Sequence, residues 1–134
     1  MHDKILILDF GAQYTQLIAR RLRETHVYCE IHPFDAGDDF VRAFAPKGII
    51  LSGSPALSSH GEGSGYTREI LDLPVPILGF CFGHQEIAKR YGGTVINGCS
   101  EWGRADLHIR RPHPLFEGLE PVEQVFMSHF DTVA

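Results

Sequence analysis

The sequence predicts an α/β fold, with a doubly wound, mostly parallel sheet and helices on both of its faces. Apolar runs of strand length alternate with stretches of helical periodicity, in the order strand, helix, strand, helix, strand. The runs are also apolar without alternation, which is typical of strands covered on both faces. In such sheets ligands bind beyond the carboxyl ends of the strands, where the strand order reverses, so functional residues are expected there.

The elements follow from the apolar pattern and its interruptions. Strands are predicted over 4–10, 27–31, 48–51 and 75–80, and helices over 14–22, 38–44, 66–73 and 86–91. A Ser- and Gly-rich connection over 55–65 is predicted to be mobile, and Gly92-Gly93 closes the last helix. Beyond it, short strands over 94–96 and 105–110 and a single helical turn within 112–118 are expected.

Length and composition predict one domain spanning residues 1–134 and exclude several functions. A chain of 134 residues that is 43% hydrophobic can bury a sizeable core. Its net charge of −5, without a long basic block, argues against nucleic acid as a partner. No apolar run approaches the ~20 residues of a membrane span, and the first segment is a strand rather than a signal peptide, so a cytoplasmic location is expected.

The cysteines and histidines indicate neither a disulfide framework nor a metal site. The three cysteines are odd in number and show no C-x-x-C spacing, which fits a reducing compartment. None of the eight histidines shares a helix with another at metal-ligand spacing. Cys29 and Cys99 are therefore interpreted as packing residues.

Cys81 is the candidate nucleophile, because the apolar run 75–80 ends at it and passes directly into the helical pattern. Gly79 and Gly83 flank it in a G-x-C-x-G pattern, and glycines remove the side chains that would collide in so tight a strand-to-helix turn. A thiol there faces the first turn of a helix, whose N–H groups and dipole favour the thiolate and can hold an oxyanion. The motif alone is equally compatible with a buried structural cysteine.

The stretch G-F-C-F-G-H-Q at 79–85 resembles the G-[IV]-C-x-G-x-Q elbow of the class I (triad) glutamine amidotransferases. Segments 5–21, 27–35, 48–55 and 126–131 are similar, in the same order, to the glutaminase part of GMP synthetases. The resemblance implies a flavodoxin-like fold and glutamine hydrolysis through a cysteine thioester. The ammonia would serve the amination of XMP to GMP in purine biosynthesis.

The resemblance also assigns roles to residues. Cys81 would be the nucleophile, and the backbone N–H groups of Ser54 and Phe82 would hold the oxyanion. The residues implied to bind the substrate glutamine are Gly53, Gln85, Ser128, His129 and Phe130. Ser54 stands where the family's S-G-G-P loop has its second glycine, and Phe130 replaces the glycine of an S-H-G-D segment.

The family's H-P-E segment, which supplies the triad His and Glu, does not occur in these 134 residues. The chain is therefore expected to be a fragment or a natural truncation, with the C-terminal part of the fold missing and no glutaminase activity of its own. Glutamine hydrolysis requires no cofactor. The resemblance places ATP and magnesium in a separate ATP-dependent synthetase part, which would be the partner.

Two alternatives remain open. One is another cysteine hydrolase of the same architecture, either a different class I amidotransferase or a DJ-1-like protein, although Gln85 and the opening segment argue against it. The other is a non-catalytic module that keeps the glutamine pocket. His84, three residues after Cys81, could lie within reach of the thiol on one helical face.

Overall fold

The computed structural model describes residues 2–54 and 68–133, except the side chains of residues 68, 97–100 and 129–132. The described strands are β1 (Lys4–Asp9), β2 (Tyr28–Pro33), β3 (Gly48–Leu51), β4 (Ile77–Gly79), β5 (Val95–His108) and β6 (Val122–Val133). The helices are α1 (Thr15–Glu24), α2 (Asp38–Phe44) and α3 (Phe82–Arg90), with 3-10 turns at Arg68–Asp72 and Pro114–Phe116. The predicted 55–65 connection and the start of the predicted 66–73 helix lie outside the described residues.

The first four strands form one parallel sheet in the order β2-β1-β3-β4. The chain moves from β1 to β2 on one side and then returns across β1 to β3, so the strand order reverses at β1. This reversal confirms the doubly wound topology. It places the loops after β1 and β3 side by side at the carboxyl edge of the sheet.

Alternate side chains of the central strands fill two apolar clusters, one on each face of the sheet. Ile7 and Ile50 pack with Ala19 of α1 on one face. Leu6, Leu8 and their neighbours pack on the opposite face against α2, the 3-10 turn at Arg68–Asp72 and the start of α3. The helices therefore cover both faces, and the fold class predicted from the continuous apolar runs is confirmed.

Two predicted elements differ from the structure. The strand predicted over 75–80 is shorter, and it is the outermost strand of the described sheet, so Leu78 is partly exposed rather than buried. The described part of the helix predicted over 66–73 is a 3-10 turn. Pro74 and Pro76 follow it closely, and proline disfavours helical conformation in the residue before it.

The largest difference is an antiparallel ribbon of β5 and β6, which replaces the short strands predicted over 94–96 and 105–110. Polar residues interrupt the apolar pattern of both strands, and backbone pairing between the strands keeps them extended there. Periodicity alone therefore does not predict the ribbon. One face is open, with Trp102 61% and Phe126 76% exposed. No helix in the described ranges is both long and apolar enough to cross a membrane.

A buried leucine in the core and an exposed leucine on α1 give a stability prediction. Leu6→Ala removes a fully buried side chain from the core and should lower the free energy of unfolding by about 2–5 kcal/mol. Leu17→Ala is the matched control, because Leu17 on α1 is 49% exposed and its loss should cost well under half as much. Urea unfolding of both variants gives the comparison, and equal losses would contradict the assigned core.

Candidate active site

Cys81 lies on the predicted strand-to-helix turn, between the end of β4 and the first residue of α3. Its backbone has φ 47° and ψ −108°, in the positive-φ region that residues with a side chain rarely occupy. Such a conformation costs on the order of 1–3 kcal/mol and persists only where the surrounding packing enforces it. The turn therefore has the strained geometry of a nucleophile elbow.

Gly79 and Gly83 allow this turn because both approach other backbone atoms closely. A Cβ on Gly79 would overlap the backbone of Gly83 and His84, and a Cβ on Gly83 would lie 2.7 Å from the carbonyl oxygen of Leu51. The start of α3 thus packs directly on β3 and β4, backbone against backbone. The glycines predicted from the motif have a steric function on each side of the cysteine.

The loop after β3 is tied to the loop after β1 by Ser52, which is fully buried. Its Oγ accepts a hydrogen bond from the Phe10 backbone N–H at 2.8 Å and donates one to the Gly53 carbonyl at 3.0 Å. This places Gly53 against the elbow, where an added Cβ would lie 3.1 Å from Cys81 Cβ. The predicted oxyanion loop therefore begins beside the candidate nucleophile.

Tyr14 completes one side of the site, which the sequence did not indicate. Its hydroxyl donates a hydrogen bond to Cys81 Sγ at 3.4 Å, and its ring contacts Phe80 edge-on at 6.5 Å between centroids. Burial, followed by the hydrogen bond and charge of Cys81, raises the pKa of Tyr14 above its usual range, and a backbone hydrogen bond from Gly53 offsets part of the rise. The phenol therefore keeps its proton at neutral pH.

The turn that carries Tyr14 is held by a buried threonine. Thr15 Oγ1 donates to Asp9 Oδ1 at 3.1 Å, and the Gly11 backbone N–H donates to the same carboxylate oxygen at 2.7 Å. Helical periodicity assigned Tyr14 to the apolar face of a helix, whereas it precedes α1 as the N-cap residue. Periodicity does not distinguish a packing ring from one whose hydroxyl reaches another segment.

The ribbon supplies the third side of the site. Cys81 Sγ donates a hydrogen bond to the Ser128 carbonyl oxygen of β6 at 3.5 Å. The structure thus brings the predicted 128–130 segment to the elbow across 47 positions of sequence. The side chains of His129 and Phe130 lie outside the described residues, so their place in a pocket stays a prediction.

The remaining predicted residues fall on or near α3. Phe82 is its first residue, with the ring buried 5.1 Å from that of Phe10, so its backbone N–H belongs to the first turn. Gln85 is buried one turn further along, and Ser54 is partly exposed two residues after Ser52. His84 is exposed and makes no hydrogen bond to Cys81 Sγ.

Cys29 is a buried free thiol in the α1-side cluster, which confirms its packing role, while the Cys99 side chain lies outside the description. Within the described residues, no group of three His, Cys, Asp or Glu side chains could hold a metal ion. His32 lies against Phe40, and His113 accepts a hydrogen bond from the Leu115 N–H, so both have structural contacts.

Comparisons with known proteins identify the family of this chain. The family model described as "Glutamine amidotransferase class-I" matches residues 6–134. The chain is 49% identical over 141 residues to GMP synthase [glutamine-hydrolyzing] of Aromatoleum aromaticum, covering 98% of this chain and 27% of that protein. It is 50% identical over 143 residues to the protein of the same name from Cupriavidus pinatubonensis, covering 100% and 26%. The chain thus spans about a quarter of the length of these curated relatives.

Two solved structures have the same fold. A GMP synthase subunit of Thermoplasma acidophilum superimposes with a TM-score of 0.83 at 32% identity, covering 99% of this chain and 67% of that one. A glutamine amidotransferase of Thermotoga maritima gives a TM-score of 0.75 at 18% identity, covering 100% and 63%. The second likeness supports the fold alone.

The glycine contacts at the elbow give a prediction with a matched control. Gly83→Ala forces a Cβ against the Leu51 carbonyl and should cost about 1–3 kcal/mol of stability, because backbone has to move. Gly37→Ala adds the same methyl group where nothing lies within 4 Å and φ is −67°, so its effect should stay below about 1 kcal/mol. Chemical denaturation measures both, and a neutral Gly83→Ala would contradict the close approach.

Proposed function

The chain belongs to the class-I glutamine amidotransferase family, and from that membership we propose that it is the glutamine-hydrolysing part of a GMP synthase. The observation that carries the proposal is Cys81, held at positive φ at the start of α3 in a chain that aligns along its whole length with GMP synthases. Family membership supports glutamine hydrolysis as the reaction, and the elbow geometry supports Cys81 as its nucleophile.

In the proposed reaction, Cys81 Sγ attacks the side-chain carboxamide carbon of glutamine. The tetrahedral intermediate collapses by breaking the C–N bond, and ammonia leaves after taking up a proton. Water then hydrolyses the thioester, which gives glutamate and restores the thiol. The backbone N–H groups of Ser54 and Phe82 would hold the oxyanion, and the first-turn position of Phe82 supports its role.

The glutamine would lie between the loop after β3 and the ribbon. The proximity of Gly53 to Cys81 and the contact of Sγ with the Ser128 carbonyl support this position. Gln85, His129 and Phe130 complete the proposed substrate-binding set. A backbone carbonyl at this position is an acceptor suited to an ammonium or amide N–H group of the substrate.

A cysteine glutaminase also needs a base for the thiol proton and an acidic residue that orients this base. Among the described residues, the hydrogen-bond partners of Cys81 Sγ are the Tyr14 hydroxyl, a donor, and the Ser128 carbonyl. Two His-x-Glu sequences occur, His60-Gly61-Glu62 and His84-Gln85-Glu86, and neither is the family's H-P-E segment. The first lies outside the described residues, and the second is on α3, where His84 is exposed. We therefore propose that residues 1–134 alone do not turn glutamine over.

The ammonia would pass to an ATP-dependent synthetase part that aminates XMP to GMP. The curated relatives, about four times as long as this chain, support a partner of that kind. Glutamine hydrolysis itself would need no cofactor, and ATP and magnesium would bind in the synthetase part. A reducing, cytoplasmic location fits the free thiols of Cys29 and Cys81.

The test measures ammonia release and cysteine labelling on purified chain, beside Cys81→Ala. Absence of the base should lower turnover by about 10⁴- to 10⁶-fold relative to a complete glutaminase, so no Cys81-dependent ammonia is expected. Cys81 should nevertheless react faster with a small alkylating agent than Cys29 or Cys99, as peptide mapping would show, and excess glutamine should slow its labelling more than excess asparagine.

Two results would contradict these expectations in different ways. Cys81-dependent turnover near that of a complete glutaminase would mean that a base is present, and His84 and His60 would be the first residues to replace by alanine. Equal labelling of the three cysteines, without protection by glutamine, would remove the evidence for an activated thiol and a glutamine pocket.

A further inference from the structure

Tyr14 is the one side chain of the described site whose hydroxyl lies against the nucleophile, and neither the motif nor the family assignment gives it a role. The hydroxyl donates to Cys81 Sγ at 3.4 Å, across 67 positions of sequence. A donor aimed at sulfur is favourable for the thiol and more favourable for the thiolate, because hydrogen bonds to charged acceptors are stronger.

The position of the hydroxyl is fixed from three directions. The Phe80 ring, next to the nucleophile in sequence, meets the Tyr14 ring edge-on. Gly53 leaves the space that the hydroxyl occupies, since a Cβ there would overlap Tyr14 Oη. The Thr15 hydrogen bond to Asp9 anchors the turn that precedes α1. A side chain held in this way can orient a flexible thiol at little entropic cost.

The other titratable groups on the surrounding elements are few among the described residues. Asp9 Oδ1, at the end of β1, accepts hydrogen bonds from the Gly11 N–H and Thr15. On α3, His84 is exposed, and the buried Glu86 pairs with Lys89 at 3.1 Å. The loop 52–54 carries no titratable side chain. On the described part of β6, Ser128 meets the sulfur with its backbone carbonyl. Tyr14 is thus the side-chain donor that faces the sulfur directly.

We propose that Tyr14 is a positioning residue for the nucleophile: its hydroxyl orients the Cys81 sulfur and stabilises it when it carries negative charge. The inference rests on the proposed function for the identity of Cys81 as the nucleophile. Because the phenol keeps its proton throughout the neutral range, it remains a donor in both protonation states of the sulfur.

The test is the pH profile of Cys81 alkylation in the full chain, with iodoacetamide as the probe. Tyr14→Phe keeps the ring and removes the donor, so the pH at half-maximal labelling rate should rise by about one unit. Labelling below that midpoint should slow by about tenfold, while the rate at high pH stays close to that of the parent. Tyr91→Phe, the same change at an exposed position at the far end of α3, should leave the profile unchanged.

A ring-fluorinated tyrosine introduced at position 14 should shift the pH midpoint of Cys81 labelling in the opposite direction. Fluorine lowers the phenol pKa and strengthens the donor with little change of shape, so the labelling midpoint should fall below that of the parent. The fluorinated variant also tests the role of Tyr14 if Tyr14→Phe fails to fold. A role in packing alone would predict no displacement of the midpoint.

Unchanged midpoints in the folded Tyr14 variants, with Cys81 still the fastest cysteine in the parent, would overturn the inference and leave the proposed function intact. If Cys81 in the parent reacts no faster than Cys29 and is not protected by glutamine, the proposed function fails instead. A changed high-pH rate with an unchanged midpoint would indicate altered access to the sulfur and would likewise overturn the role assigned to Tyr14.

Discussion

The site depends on one steric constraint, the contact of the α3 backbone with the strands beneath it. Gly79 and Gly83 permit this contact, and any side chain at either position would meet backbone atoms. With α3 held so close, the chain has only Phe80 and Cys81 in which to turn from β4 into α3, and Cys81 takes up positive φ. The cost of that conformation, about 1–3 kcal/mol, is offset by burial of Phe82 and Gln85 directly behind it.

Once the elbow is fixed, short polar contacts bring three distant segments to one sulfur. Ser52 links the loops after β1 and β3, the Asp9–Thr15 hydrogen bond shapes the turn before α1, and the ribbon reaches Sγ through the Ser128 carbonyl. Each of these hydrogen bonds contributes about 0.5–1.5 kcal/mol to stability. They determine geometry, and they can do so because the parallel sheet presents its carboxyl ends at one edge.

The features predicted correctly from the sequence are those that follow from local sterics or periodicity. Continuous apolar runs predicted the central strands, and the paired glycines predicted the elbow, because each has one dominant physical cause. The full length of β5, its partner β6 and the role of Tyr14 were not predicted, because they depend on partners far away in sequence. The extent of β5 is defined by its pairing with β6. The hydroxyl of Tyr14 can be assigned a role only when the fold places Cys81 beside it.

The two hydrogen bonds of the Cys81 sulfur respond differently when the sulfur changes charge. The Ser128 carbonyl accepts a hydrogen bond from the thiol but cannot remove the proton, since a backbone amide is not a base at neutral pH. When the proton leaves, that contact becomes a repulsion between two acceptors, whereas the Tyr14 hydroxyl and the N-terminal turn of α3 attract the thiolate more strongly. Ionisation should therefore move the sulfur away from the ribbon, opening the side on which the proposed substrate would approach, and toward the groups that stabilise its charge.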